Sequence, residues 1–158
     1  MIVATFAFTL THATFAQVTR FSPDGCEFSV EFPDKPDIRS IHVAGKTGKL
    51  AASKPYPWGQ LSAECWPLKK PVDVSEYAKG LEDQLIAQDF SIKSITSSKE
   101  KRGPVVLLLA TTKIQGKTYN LATETHFGKN SRMEAKIIQI EFSGMEHDER
   151  FRKSITAK

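Results

Sequence analysis

The chain has 158 residues, 40% of them hydrophobic, which suits one domain with one sizeable core and leaves no room for a second. Lysine and arginine number 22 against 18 acids, a net charge of +4, but the cations are scattered among the acids. That bias argues against a nucleic-acid partner, which would call for a basic stripe or patch.

Residues 1–16 carry no Lys, Arg, Asp or Glu and end in Thr14-Phe15-Ala16. The segment reads as the apolar region and small-residue cleavage site of a secretory leader, without the usual basic start. Cleavage near Ala16 would leave a single domain over 17–158, periplasmic or secreted. The run is too short and too rich in Thr to span a bilayer, so no stable membrane insertion is expected. The residues ahead of Cys26 lack the small apolar pattern of a lipid anchor.

Cys26 to Phe32 alternates apolar and polar residues and stops at Pro33, giving a first strand with Glu27, Ser29 and Glu31 facing water. Ile41 and Val43 mark a short second strand ended by Gly45 and Gly48. Gly59 to Trp66 supplies a third, with Leu61, Ala63 and Cys65 on one face. Cys26 and Cys65 would both point inward, and in an exported chain they read as one disulfide. The competing reading is two unrelated buried thiols acting as small hydrophobes.

Lys54-Pro55-Tyr56-Pro57-Trp58-Gly59 has the most unusual composition in the chain. Its prolines hold extended backbone and leave Tyr56 and Trp58 on a stiff loop. Such a loop is either a contact surface, because Tyr and Trp bring rigid area at little entropic cost, or a plug over one end of the sheet.

Asp73-Val74-Ser75-Glu76 follows the pattern of an N-cap with an acid three residues on, and Tyr77, Leu81 and Leu85 then recur at helical spacing. This predicts a helix over about 74–88. Phe90 and Ile92 begin a strand, and Ser97 to Arg102 reads as a solvated connection. Val105 to Ala110 is apolar on both faces and reads as a central strand covered on each side. The turn at Gln115-Gly116-Lys117 leads to a strand alternating through Leu121, Thr123 and Thr125. After a polar loop at Gly128 to Arg132, Ile138, Ile140 and Phe142 give another strand. A second capping pattern, Ser143-Gly144-Met145-Glu146, opens a closing helix carrying His147, Phe151 and Ile155. The expected fold is therefore α+β: a single antiparallel β-sheet flanked by a mid-chain helix and a C-terminal helix.

No nucleophile elbow, P-loop, dinucleotide fingerprint, H-E-x-x-H or C-x-x-C motif is present, so no catalytic residue and no cofactor is expected. Glu124 and His126 lie two apart on one strand face and could offer two metal ligands, but no third is in sight. They would equally serve as the wet side of a half-buried strand.

The run Gly25-Cys26-Glu27-Phe28-Ser29-Val30-Glu31-Phe32-Pro33, followed by Pro36, resembles the opening of small exported domains in the PsbP-like superfamily. The order of later features is similar to that layout: a helix carrying Tyr77, a meander with Tyr119-Asn120-Leu121, a strand ending at Phe142, and a closing helix with Phe151 and Ser154. That superfamily includes extrinsic photosystem subunits, a nuclear-transport cofactor that binds a small GTPase, and bacterial envelope proteins of the DcrB type. The resemblance implies a binding or assembly factor and carries over no catalytic residue, since fold does not fix function. The reading is a non-enzymatic binding domain for a protein or small-molecule partner, its oligomeric state open. The alternative is a small metal-binding or hydrolytic protein using Glu124 and His126.

Overall fold

A computed structural model describes residues 18–101, 103–140 and 145–158, with the side chains of 145–148 excepted. The expected leader, Phe142, the Ser143-Gly144 half of the second capping pattern and the His147 side chain all lie outside these described residues.

Local chemistry explains most boundaries. The strands are β1 (Thr19–Phe21), β2 (Phe28–Phe32), β3 (Asp37–Val43), β4 (Lys46–Ala52) and β5 (Gly59–Pro67). Helix α1 (Val74–Ile86) follows, then β6 (Ser91–Glu100), β7 (Gly103–Ile114), β8 (Lys117–Phe127), β9 (Ser131–Ile140), α2 (Met145–Lys153) and β10 (Thr156–Ala157). Asp73 caps α1 by accepting from the amides of Ser75 and Glu76 at 2.9 and 3.1 Å, satisfying donors the first turn cannot pair. Tyr77, Leu81 and Leu85 lie on one stripe toward the sheet, and Leu85 is the buried residue of that helix.

The fold corrects the single-sheet expectation. The described residues are mostly β, with two short helices, in two sheets. Seven strands form one antiparallel sheet in the order β3-β4-β5-β9-β8-β7-β6, and β1-β2-β10 form a second, smaller one. The Cys26 to Phe32 strand thus never joins the main sheet but lies over it. Ser29, expected in water, is buried and shares a hydrogen bond with Thr156 of β10 at 2.9 Å. The described chain closes on β10 and not on a helix, with Phe151 and Ile155 buried beneath the small sheet.

Three strand assignments also change. Gly48 does not end a strand but lies inside β4, where a Cβ would approach the Trp66 ring to 2.8 Å; the glycine lets that indole pack onto the strand. The β3–β4 hairpin turns through Ala44 and Gly45, both at positive φ (48° and 72°), a conformation glycine adopts without steric cost. Ser97 to Glu100, expected as a connection, continues β6 as an exposed edge strand. Finally β7 lies one strand from the edge, with Leu107 and Leu109 half-buried, and the central position belongs to β9.

The two faces of the large sheet differ. Leu61, Ala63 and Cys65 of β5, with Met133, Ala135 and Ile137 of β9, pack under β2 and α2 against Phe21, Phe28, Val30, Phe32 and Phe151. The opposite face carries α1, with a smaller cluster of Leu85, Leu108, Ala110 and Leu121 beneath it.

Candidate functional site

The cysteine pair forms the expected bond. Cys26 and Cys65 are disulfide-linked with Cα atoms 6.2 Å apart, both buried, so the bond ties the loop before β2 to β5 of the large sheet. It sits within the main core and stitches the two sheets together.

Tyr56 and Trp58 are brought face to face, ring centroids 4.7 Å apart and planes within 7°. Tyr56 and Gly59 exchange backbone hydrogen bonds, and the Trp58 carbonyl accepts from the Ile140 amide at 2.8 Å, fastening the loop to the end of β9. The Tyr56 hydroxyl donates to Asp34 Oδ2 at 2.7 Å; burial and that carboxylate push the phenol well above its ordinary value. Both rings are half-buried against the main core, so the loop plugs this end of the sheet. A groove of about 240 Å³ runs beside Tyr56.

Glu124 and His126 face the α2 side, not water. Each Glu124 oxygen has a partner: His126 Nε2 at 2.8 Å, donating because an ionised carboxylate only accepts, and Arg152 Nη1 at 2.9 Å. Burial alone would raise this carboxyl, but the His126 and Arg152 partners outweigh it and hold it below its ordinary value. His126 also packs against Phe28, ring centroids 5.9 Å apart. The pair therefore ties β8 to α2. Among the described residues no three His, Cys, Asp or Glu side chains gather as a metal site.

A further concavity was not anticipated from the sequence. A cleft of about 440 Å³ lies between α1 and the sheet face formed by β5, β9 and β8. Strand β9 places Arg132, Glu134 and Lys136 on this face, alternating with the apolar residues that line the other. Glu134 is 6% exposed. It accepts from the Tyr77 hydroxyl at 2.8 Å, lies 3.3 Å from Lys136 Nζ and 3.8 Å from Arg132 Nη1. The Arg132 guanidinium in turn sits 4.9 Å above the Tyr77 ring, a cation–π contact. Burial first, and the Glu134 carboxylate second, push Tyr77 well above its ordinary value, so its phenol stays a donor. Glu64 pairs directly across from Glu134 and accepts from the Trp66 indole at 2.9 Å.

At the floor of the cleft stands Thr123, flanked by Leu108 of β7 and Lys136 of β9. It is 1% exposed, and its hydroxyl has no hydrogen-bond partner among the described residues. Such an orphan costs about 1–3 kcal/mol. Val would fill the same volume on a β-strand without that cost. The available signal was the period-two run Arg132, Glu134, Lys136 opposite Met133, Ala135, Ile137, which from sequence looks like any solvated strand face.

No family model matches the chain, and no curated protein matches it significantly. Among solved structures it is similar to a crystal structure from Bacteroides thetaiotaomicron VPI-5482, with 13% identity and a TM-score of 0.50. The match covers 88% of this chain and 48% of the other, so the chain spans about half the length of that structure. At that identity the likeness concerns the fold alone.

Proposed function

We propose that this chain is an exported, non-enzymatic binding domain whose ligand is a small molecule seated between α1 and the seven-stranded sheet. The observation that carries the reading is the Thr123 hydroxyl, buried and without a protein hydrogen-bond partner among the described residues at the floor of this cleft. A buried polar group without a protein partner calls for an explanation, and a bound ligand or an ordered water would supply one. The buried disulfide supports export, because such bonds persist in oxidising compartments. Among the described residues no helix is long and apolar enough to cross a membrane. The proposed kinship with PsbP-like envelope domains, resting on the sequence motif, points the same way.

Gly80 offers a clean test. It lies on α1 beside the cleft, and a Cβ there would meet nothing within 4 Å, so the position has room for a side chain; Gly80→Phe is chosen to obstruct the cleft, with circular dichroism and ligand-free Tm checking that the fold is kept. A small-molecule library screened by thermal shift should yield a hit that raises Tm in the wild type and not in Gly80→Phe, because binding only the native state stabilises it. A hit unaffected by Gly80→Phe but abolished by Trp58→Ala would place the site at the aromatic loop instead. Stabilisation by a divalent metal, lost in His126→Ala, would favour the metal-binding alternative.

A further inference from the structure

The chemistry lining the cleft bears on what it binds, granted that it is the binding site. We infer that its ligand is a neutral, hydroxyl-rich small molecule, a saccharide or polyol.

Charge is the first reason. Four ionisable groups of opposite sign face the cleft, Glu64 and Glu134 against Arg132 and Lys136, and they compensate one another. Glu134 is held by Tyr77, Lys136 and Arg132, while Glu64 holds the Trp66 indole. An anionic ligand drawn to Arg132 or Lys136 would meet the carboxylates of Glu134 and Glu64 beside them. A cation would compete with the same two bases for Glu134. Uncompensated buried charge is the most expensive outcome a site can create, so an ion of either sign fits poorly.

Hydrogen bonding is the second. What the lining offers is mixed hydrogen-bonding capacity: N–H donors of Arg132 and Lys136 and carboxylate lone pairs of Glu64 and Glu134 beyond those already used, with the Thr123 hydroxyl, which both donates and accepts, buried behind them. Gln84 on α1 and Gln88 in the turn after it, both exposed, add amides of both polarities. A ring of ligand hydroxyls matches this mixture, each able to donate to a carboxylate and accept from an amide. The volume, about 440 Å³, lies in the lower part of the roughly 300–1,000 Å³ range of small-molecule sites, suited to one or two sugar rings. Thr123 lies under α1, whose buried anchor is Leu85, and binding through it requires that helix to move outward enough to uncover the hydroxyl.

The test compares three probe sets on the full chain by thermal shift and calorimetry. They are neutral polyols (trehalose, maltose, myo-inositol), anions (inorganic phosphate, citrate) and a cation (spermidine). A neutral polyol should raise Tm with little dependence on salt. Thr123→Val should weaken it about tenfold, the loss of one hydrogen bond, while raising the ligand-free Tm because the orphan hydroxyl is gone. Thr123→Ser keeps the hydroxyl and should bind as the wild type does, which separates chemistry from packing. If phosphate, citrate or spermidine binds in a Thr123-dependent and Gly80-dependent way and the polyols do not, the ligand class is wrong and the site stands. If polyols bind but neither Thr123→Val nor Gly80→Phe affects them, the site is wrong. No shift with any probe contradicts the polyol assignment while leaving the site to the wider screen.

Discussion

Strand β9 shows one chemistry to α2 and another to α1. On the α2 side Met133, Ala135 and Ile137 are fully buried under a second sheet; on the α1 side Arg132, Glu134 and Lys136 stand in a cleft roofed by one lightly anchored helix. The strand is the same, so the difference lies in what covers it. The small sheet brings Phe21, Phe28, Val30 and Phe32, plus a disulfide, and seals its face against water. Helix α1 brings mainly Leu81 and Leu85, and polar groups persist beneath it. One face therefore carries most of the buried apolar packing, and in the proposed reading the other is the one used for recognition.

This contrast predicts that disturbing the α2 side unfolds the whole chain. Phe32 is fully buried, in edge contact with Phe21 and Phe151 at centroid distances of 6.5 and 5.0 Å. Phe32→Ala should cost about 3–5 kcal/mol in urea unfolding, with every spectroscopic probe shifting together. A loss confined to one region would mean that the small sheet is an appendage.

Reduction comes next. Cys26 and Cys65 are separated by 39 residues, and opening that loop should cost about 2–4 kcal/mol, a fall in Tm of roughly 4–16 °C. Mass spectrometry of the non-reduced, alkylated chain checks that the bond is present. An unchanged Tm on complete reduction would show that packing of β2 suffices without it.

The Glu124 network ranks third. Because the folded carboxyl is held below its ordinary value of 4.5, its contribution is present above that pH and lost as pH falls through the folded value. Glu124→Gln should cost about 1–3 kcal/mol at neutral pH and flatten part of the acid limb of the stability profile. Glu27, held below its ordinary value by the Asn130 and Ser131 amides despite its desolvation, supplies another part of that limb. A steeper limb in the variant would contradict the assignment.

The smallest effect belongs to α1. Asp73→Ala removes its N-cap and should cost about 1 kcal/mol, seen as faster amide exchange in α1 with β2 unaffected.

What could be read in advance divides along the same line. The Asp73 cap, the Tyr77-Leu81-Leu85 stripe and the Cys26–Cys65 pairing are local or strongly patterned, and each appears in the sequence as it does in the fold. The alternation from Cys26 to Phe32 says that one side is buried but not which strands pair with it, so a covering sheet looked like a member of the main one. β10 has two residues, too few for any pattern. Gly48 read as a terminator because Trp66, whose ring needs the space, is 18 positions away. The cleft was hidden for a deeper reason. Arg132, Glu134 and Lys136 alternate as a wet strand face would, and only the docking of α1 turns that face into a cleft.

The most direct measurement is residue-resolved amide hydrogen exchange of the native chain with and without the small molecule selected by the Gly80-sensitive screen. The account predicts added protection in α1 and in the stretch of β8 and β9 around Thr123 and Glu134, with β2 and the disulfide region unchanged. Protection appearing around Tyr56 and Trp58, or equally across both faces of the sheet, would contradict it.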